Sequence, residues 1–312
     1  MLSFCAGVAL RRYVETMDHS SAQNTLSNAT LLPGRTELVL TTYNNPHSLA
    51  LCLESVARQW VACDSICIAD DGSGLETKAI VDAFAAARPH LRVRHLWHED
   101  RGFQKCAILN KAIASSEADF LVFIDGDVLI HPCFVARHFE LARRGRYATG
   151  SLIRLDAEAT AAVTVDLVAT GRVFEREWLR HNRAFDRVAT WLKSAPCPKP
   201  LSNFLELVWP TRRSLCGANW SAWRDDILKV NGFDETITYG GLDKDLGERL
   251  SNAGVKGRHL RFSAPLLHLE HSRPYANAVA HRRHRERIAY VRHSGVRWTE
   301  SGIIQEESMR AE

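Results

Sequence analysis

The sequence predicts an α/β protein with a mixed, mainly parallel sheet flanked by helices. Two observations predict it. First, short apolar runs at Glu37–Thr42, Ser65–Ala69, Leu91–Leu96 and Phe120–Ile124 alternate with segments of helical period at His47–Trp60, Glu76–Ala87 and Phe103–Ser115. Second, the second and fourth runs end in carboxylates next to glycine, as Asp70-Asp71-Gly72-Ser73-Gly74 and Asp125-Gly126-Asp127. Right-handed crossovers between parallel strands put every carboxyl end on one rim. The turns after the first, second and fourth runs should therefore meet at one crevice, where open α/β sheets bind ligands.

Each element has its reason. Residues 1–35 read as a tail or linker: 13–35 are polar and end Leu-Leu-Pro-Gly-Arg, and Leu2–Leu10 is apolar but short and is followed, not preceded, by Arg11-Arg12. The first strand stops at Tyr43-Asn44-Asn45-Pro46, a turn. The fourth run, five apolar residues long, reads as a strand buried on both faces. Asp125 and Asp127 leave it one glycine apart, and Gly126 is expected to allow an unusual turn. Two carboxylates so close repel unless a cation lies near, and hard divalent ions prefer oxygen ligands and bridge to phosphates. A metal–diphosphate site and a plain Asp-Gly turn with solvated carboxylates both fit that tripeptide alone.

Further on, His131–Arg146 reads as a helix, and residues 150–215 as a helical insertion with basic residues and the proline cluster Pro196-Cys197-Pro198-Lys199-Pro200. Ser221–Val230 and Asp243–Ala253 read as helices, Leu260–Leu269 as a short strand, and 279–293 as a basic helix. The 312 residues are 46% apolar with net charge +4, ample for one large core or two fused domains. No apolar run approaches the roughly 20 residues of a membrane span. The eight cysteines form no C-x-x-C pair and read as free thiols in a reducing compartment; Cys63 and Cys67 read as core residues. A cytoplasmic protein follows, with no nucleic-acid partner and with the basic segment Arg282–Arg292 as the candidate for a peripheral contact at the inner face of a membrane.

Seven segments occur in order: TTYNNP, IADDGSG, HEDRGFQKCAILNKAI, FLVFIDGDVLIHPCFVARH, GANWSAWRDDILKVNGFDE, YGGLDKDLGERL and LLHLEH. Together they resemble glycosyltransferase family 2, and most of all bacterial members whose C-terminal half is galactosyltransferase-like. The resemblance covers roughly residues 38–275. It implies a GT-A (Rossmann-like) fold and an inverting transfer of a hexosyl unit from a nucleotide-sugar, UDP-linked, to a glycan or glycolipid acceptor in cell-surface polysaccharide synthesis. It divides the chain into a nucleotide-sugar half (36–150), an acceptor-binding and catalytic half (151–275) and a basic tail (276–312).

By the same resemblance, Thr41, Tyr43 and Asp71 belong to the nucleoside pocket, with Asn44 beside them. Asp71 rather than its neighbour Asp70 faces the base. Gly102 and Lys105 open a helix that could face an anion, whereas Lys111 reads as a solvated helix residue. Asp125 and Gly126 lie on the donor, with Asp125 at the ribose or a metal-bound water. Asp127 and His268 hold Mn2+ or Mg2+, the imidazole favouring Mn2+, and His271 is the lesser candidate. Asp243 stands where the family places its base, with an N-cap role as the structural alternative. Leu242 occupies the position of the family's glutamate, so acceptor binding must differ here. By residue type rather than by the resemblance, Trp223, whose ring invites sugar stacking, is the candidate acceptor contact, with Asn219. Two other readings stay open from the residues alone. One is a haloacid dehalogenase-type phosphatase with Asp125 as nucleophile; the other is a non-catalytic nucleotide- or glycan-binding module.

Overall fold

The computed structural model describes residues 33–304 apart from 186–187, 195–198, 210–213 and 272–277. The apolar stretch Leu2–Leu10, Cys5, Cys197 and most of the proline cluster lie outside the described residues. Strands β1 (Thr36–Thr42), β2 (Ser65–Asp70), β3 (Val93–Trp97) and β4 (Phe120–Asp125) pair in parallel in the order β3-β2-β1-β4. Helices α1 (Pro46–Ala57), α2 (Leu75–Ala87) and α3 (Lys105–Ser115) connect them. Every residue of β1 is buried, and the period of two sorts them. Leu38 and Leu40 join the core under α1 and α2, while Val39 joins the core under α3. Helices on both faces explain why these strands read as unbroken apolar runs. The buried Glu37 within β1 is answered by Nε and Nη2 of Arg94, at 3.0 Å each.

Beyond β4 the chain forms β5 (Val128–Ile130), α4 (Phe134–Glu140), β6 (Arg146–Thr149) and β7 (Ile153–Arg154). The insertion that follows is helical, as expected: α5 (Ala157–Ala161), α6 (Val165–Thr170), a 3-10 turn at Arg172–Phe174, α7 (Arg176–His181), α8 (Val188–Lys193) and α9 (Lys199–Val208). Then come β8 (Trp220–Trp223), α10 (Arg224–Leu228), α11 (Leu242–Asn252), β9 (Lys256–His259), β10 (Leu266–His268) and α12 (Ala278–Ser294).

Two expectations are corrected. The helix expected over 221–230 is a strand followed by a short helix, because β8 lies between β4 and β6 with all four residues buried. Trp220 stacks on Phe123 at 4.0 Å. A strand buried on both faces shows no alternation to read. The helix expected over 131–146 is confined to α4, and Arg146 opens β6.

β8 runs antiparallel to β4 and to β6, and β9 closes the edge, giving one seven-stranded sheet in the order β3-β2-β1-β4-β8-β6-β9. Both halves of the chain thus share one sheet. A second sheet, β5-β10-β7, sits beyond the end of β4. Six cysteines are described, all free thiols; Cys67 is buried and Cys63 packs against the core. No helix among the described residues is long and apolar enough to cross a membrane.

Two buried histidines make this fold sensitive to acid. His138, on α4, faces Ser221 Oγ at 2.8 Å and Asn219 Oδ1 at 3.2 Å, and burial pulls its pKa down to about 3. Burial likewise pulls His131 down to about 4. In the unfolded chain both protonate near the ordinary ~6.5. Their contribution is therefore complete above that value and is lost as pH falls from it toward 4. Moving from pH 7 to pH 5 should cost on the order of 1–2 kcal/mol for each, read as a fall in thermal midpoint, and His138→Asn should make that fall shallower.

Candidate active site

The parallel register decides what meets at the rim. Thr41 on β1 is level with Asp125 on β4, and Thr42 with Asp70 on β2. Thr41 Oγ1 donates to Asp125 Oδ1 at 2.9 Å, and Lys105 Nζ donates to the same oxygen at 2.5 Å. Burial pushes the Lys105 ammonium down, but Asp125, with Asp127 and Asp243 beyond, outweighs it, and the net direction is upward. Gly126 is needed for a different reason from the one expected. It is absent from the glycines with positive φ. Instead, a Cβ there would stand 2.8 Å from the Thr41 carbonyl oxygen, to which Gly126 N–H donates at 2.7 Å.

The adjacent Asp70 and Asp71 part ways. Asp70 is tied down by Ser73 N–H at 2.8 Å and by His95 at 3.0 Å. Asp71 lines the cleft, where His98 Nε2 reaches its Oδ1 at 2.7 Å and Gln104 N–H donates to Oδ2 at 3.1 Å. Burial raises the Asp71 carboxyl against these two contacts. Tyr43 is exposed beside it, and its hydroxyl donates to Asp100 Oδ2 at 2.9 Å. Asn44 holds the turn in a left-handed conformation (φ 42°), its Oδ1 accepting from Gly74 N–H at 3.0 Å. Gly102, also left-handed (φ 83°), precedes α3 at the same wall.

The second sheet supplies the other side. β10 pairs antiparallel with β5, putting His268 level with Val128, and Leu269 N–H donates to the Asp127 carbonyl at 2.9 Å. Asp127 Oδ2 then lies 2.8 Å from His271 Nε2 and 3.5 Å from His268 Nε2. One ligand atom from each of the three lies within 4.8 Å of the others. Burial pushes the Asp127 carboxyl up, but the two imidazoles and Lys105 pull it below the ordinary range. Its Oδ1 is buried with no hydrogen-bond partner among the described residues. A carboxylate oxygen left over beside two imidazoles is a fitting donor set for a divalent cation, and nitrogen donors favour Mn2+ over Mg2+.

Asp243 enters from the start of α11. Gly241 (φ 77°), not Asp243, is the N-cap. Asp243 Oδ2 accepts from Gly217 N–H at 3.1 Å, and burial raises its pKa above the ordinary carboxylate value. Thr41, Tyr43, Asn44, Asp71, Gly102, Lys105, Asp125, Gly126, Asp127, Asp243 and His268 all line one open cleft of about 860 Å3. His271, Leu242, Arg154, and the edge-to-face pair Phe103–Tyr239 (5.6 Å) line it too. Arg154 sits level with His268 across the β7–β10 pair, a position no sequence pattern announces. The Cys216 thiol also lines the cleft, but burial pushes it up to about 12, so it stays protonated.

Two residues expected at the acceptor lie elsewhere. Trp223 pairs with Phe120, at the end of β4 remote from Asp125, and is buried between Phe120 (5.6 Å) and the Arg144 guanidinium (3.9 Å). Asn219 is fully buried, its amide spent on His138 and on the Ser151 carbonyl at 3.2 Å each. Both are core groups.

Comparison with known proteins agrees with the fold. Residues 37–193 match glycosyl transferase family 2, and residues 209–272 match the N-terminal domain of galactosyltransferase. Validoxylamine A glucosyltransferase of Streptomyces hygroscopicus is 28% identical over 244 residues, 72% of this chain and 54% of that protein. Chondroitin synthase of Escherichia coli is 29% identical over 226 residues, 70% of this chain and 32% of that one. The chain thus spans about half or less of the length of these relatives. Among solved structures, a mannosyltransferase from Pyrobaculum calidifontis in complex with GDP-Man and Mn2+ superposes with a TM-score of 0.51 at 16% identity, covering 88% of this chain and 68% of that one. The fold is GT-A. These matches replace the phosphatase and binding-module readings.

The crowding at Gly126 gives a direct test. Gly126→Ala should lower stability in urea unfolding by about 1–3 kcal/mol and weaken calorimetric Mn2+ binding by at least about tenfold. Unchanged values for both would show that the turn can yield.

Proposed function

The chain belongs to glycosyl transferase family 2, and from that premise we propose that it is an inverting, divalent-cation-dependent hexosyltransferase acting from a UDP-sugar on a glycan or glycolipid hydroxyl. The observation that carries this reading is the meeting of Asp71, Asp125, Asp127 and Asp243 on one cleft around a single lysine. A neutral or hydrophobic ligand would not call for that arrangement. A diphosphate presented with a cation would.

Each residue then has a task. Asp71, oriented by His98 and Gln104, accepts the imide N–H of the base, and the exposed Tyr43 ring lies against it. Asp125 has one oxygen taken by Thr41 and Lys105 and offers the other to a ribose hydroxyl. Asn44, Gly102 and Gly126 let the backbone approach the donor. A divalent cation held by Asp127, His268 and His271 would supply neutralising charge to the departing diphosphate. Asp243 takes the proton from the acceptor hydroxyl as that oxygen attacks the anomeric carbon and the bond to the phosphate oxygen breaks. Burial, which raises its affinity for a proton, suits it to the part. The acceptor lies against Leu242, Tyr239 and Phe103, an apolar and aromatic wall in place of the family's glutamate. Synthesis of a cell-surface polysaccharide at the inner face of a membrane fits such an acceptor. The nucleotide-sugar half would then be 36–150 and the acceptor half 151–275.

Asp243→Asn should lower kcat by about 10²–10⁴-fold while UDP affinity, read by calorimetry, stays within about twofold. Wild-type turnover in that variant would remove Asp243 from the reaction. Because burial raises the Asp243 pKa, its base form is lost on acidification sooner than that of an exposed carboxylate. The acid limb of kcat/KM should therefore sit above the ordinary ~4, and Asp243→Asn should lack it.

A further inference from the structure

Helix α9 reverses the usual amphipathic arrangement. Its polar groups face the body of the protein: Glu206 accepts from Phe262 N–H at 3.0 Å and Ser263 Oγ at 2.7 Å, and meets Arg137 at 3.1 Å. Asn203 accepts from the same Arg137 nitrogen at 2.6 Å. Its apolar residues face outward, with Leu201, Phe204, Leu207 and Val208 exposed by 47%, 60%, 74% and 52%. These positions form one stripe along the helix. A contiguous exposed apolar stripe marks an interaction surface.

What lies beside the stripe indicates what covers it. Arg258 is on β9, the edge strand of the large sheet. Glu206 of α9 holds Phe262 and Ser263, in the turn that follows β9, and the β6–β9 register sets Arg146 level with Lys256 on that strand, so the arginines lie on the strands next to that helix. Burial and the neighbouring Arg137, Arg143 and Arg146 lower the Arg258 pKa, while Glu206 raises it. Arg143 and Arg146 are exposed and make no ion pair with a carboxylate among the described residues, while Arg258, partly buried, has Glu206 near it. An apolar stripe bordered by an excess of guanidinium groups complements acyl chains under anionic headgroups. A second copy facing it about a two-fold axis would bring like charges together. A soluble polyanion would leave the stripe uncovered.

We propose that α9, with Arg146 and Arg258 beside it, is the surface by which the protein lies on an anionic lipid bilayer. α12, the basic segment that the sequence singled out for this role, leaves Arg282, Arg283 and Arg285 exposed but carries no exposed apolar stripe like that of α9, and it is partly engaged with the protein. Its Arg287 pairs with Asp234 and with Asp245, its Arg292 with Glu248, and its Val291 is buried. Lying on a bilayer deepens the glycolipid reading of the acceptor and rests on that reading for its purpose, though not for the contact itself.

The test is flotation of the full chain with vesicles of phosphatidylcholine alone and of phosphatidylcholine mixed with phosphatidylglycerol, without nucleotide-sugar. The wild type should bind the mixed vesicles at least about tenfold more tightly than the neutral ones. Phe204→Ser/Leu207→Ser should lose at least about tenfold in that binding, and Arg146→Gln/Arg258→Gln should lose the preference for the anionic lipid. Arg283→Gln/Arg285→Gln on α12 should bind like the wild type. Thermal melting checks the fold, and Leu207→Glu alone repeats the test if the double variant melts low. Equal binding to both vesicles, retained binding in Phe204→Ser/Leu207→Ser, or a wild-type dimer that this variant separates into monomers would each overturn the proposal. Transfer to a soluble acceptor should be unchanged in Phe204→Ser/Leu207→Ser. A wild type that binds vesicles but transfers no sugar would sink the function while leaving the surface standing.

Discussion

Asp125, Asp127 and Asp243 all act on the Lys105 ammonium, and with Asp71 they outnumber the cationic side chains of the cleft lining, Lys105 and Arg154; the rim is arranged around that imbalance. Like charges this close and half-buried would drive one another toward protonation. The structure answers locally instead. Thr41 and Lys105 satisfy one oxygen of Asp125, Gly217 N–H holds Asp243, and two imidazoles face Asp127. What these contacts do not supply is a partner for Asp127 Oδ1. A net demand for positive charge in a cleft is what a cation-bound diphosphate meets.

The geometry that produces the demand is built from two directions. Parallel pairing of β1 with β2 and β4 delivers Asp71 and Asp125 to one edge. The small sheet then folds back over it, and the β5–β10 pair sets His268 against Asp127. Gly126 lies between the two systems, where no side chain fits beside the Thr41 carbonyl. A shift of either sheet by one residue would turn the ligands to the opposite face.

The first half of this architecture was legible. Strands buried on both faces are continuous apolar runs, and their ends were marked by Asp and Gly. The short strands of the second half were not, because two to four residues show no period. Ser221–Trp223 run on into a helical pattern, although these residues form a strand paired along both edges and packed into the core on both faces. Trp223 and Asn219 were assigned to the acceptor by residue type, and type does not reveal burial. His271 was ranked below His268, yet it is the nearer to Asp127. The outward apolar stripe of α9 was invisible for a further reason. Partners distant in the chain, Arg137, Phe262 and Ser263, turn the polar side of that helix inward.

The central claim is that Asp127 and its two histidines make diphosphate binding depend on a divalent cation. Calorimetric titration of UDP, with Mn2+ and with chelator, into the wild type and Asp127→Asn tests it most directly. The account predicts that Mn2+ tightens UDP binding to the wild type by at least about tenfold, or about 1.4 kcal/mol, and leaves the variant nearly unchanged. Equal UDP affinity in the wild type with and without Mn2+ would contradict it.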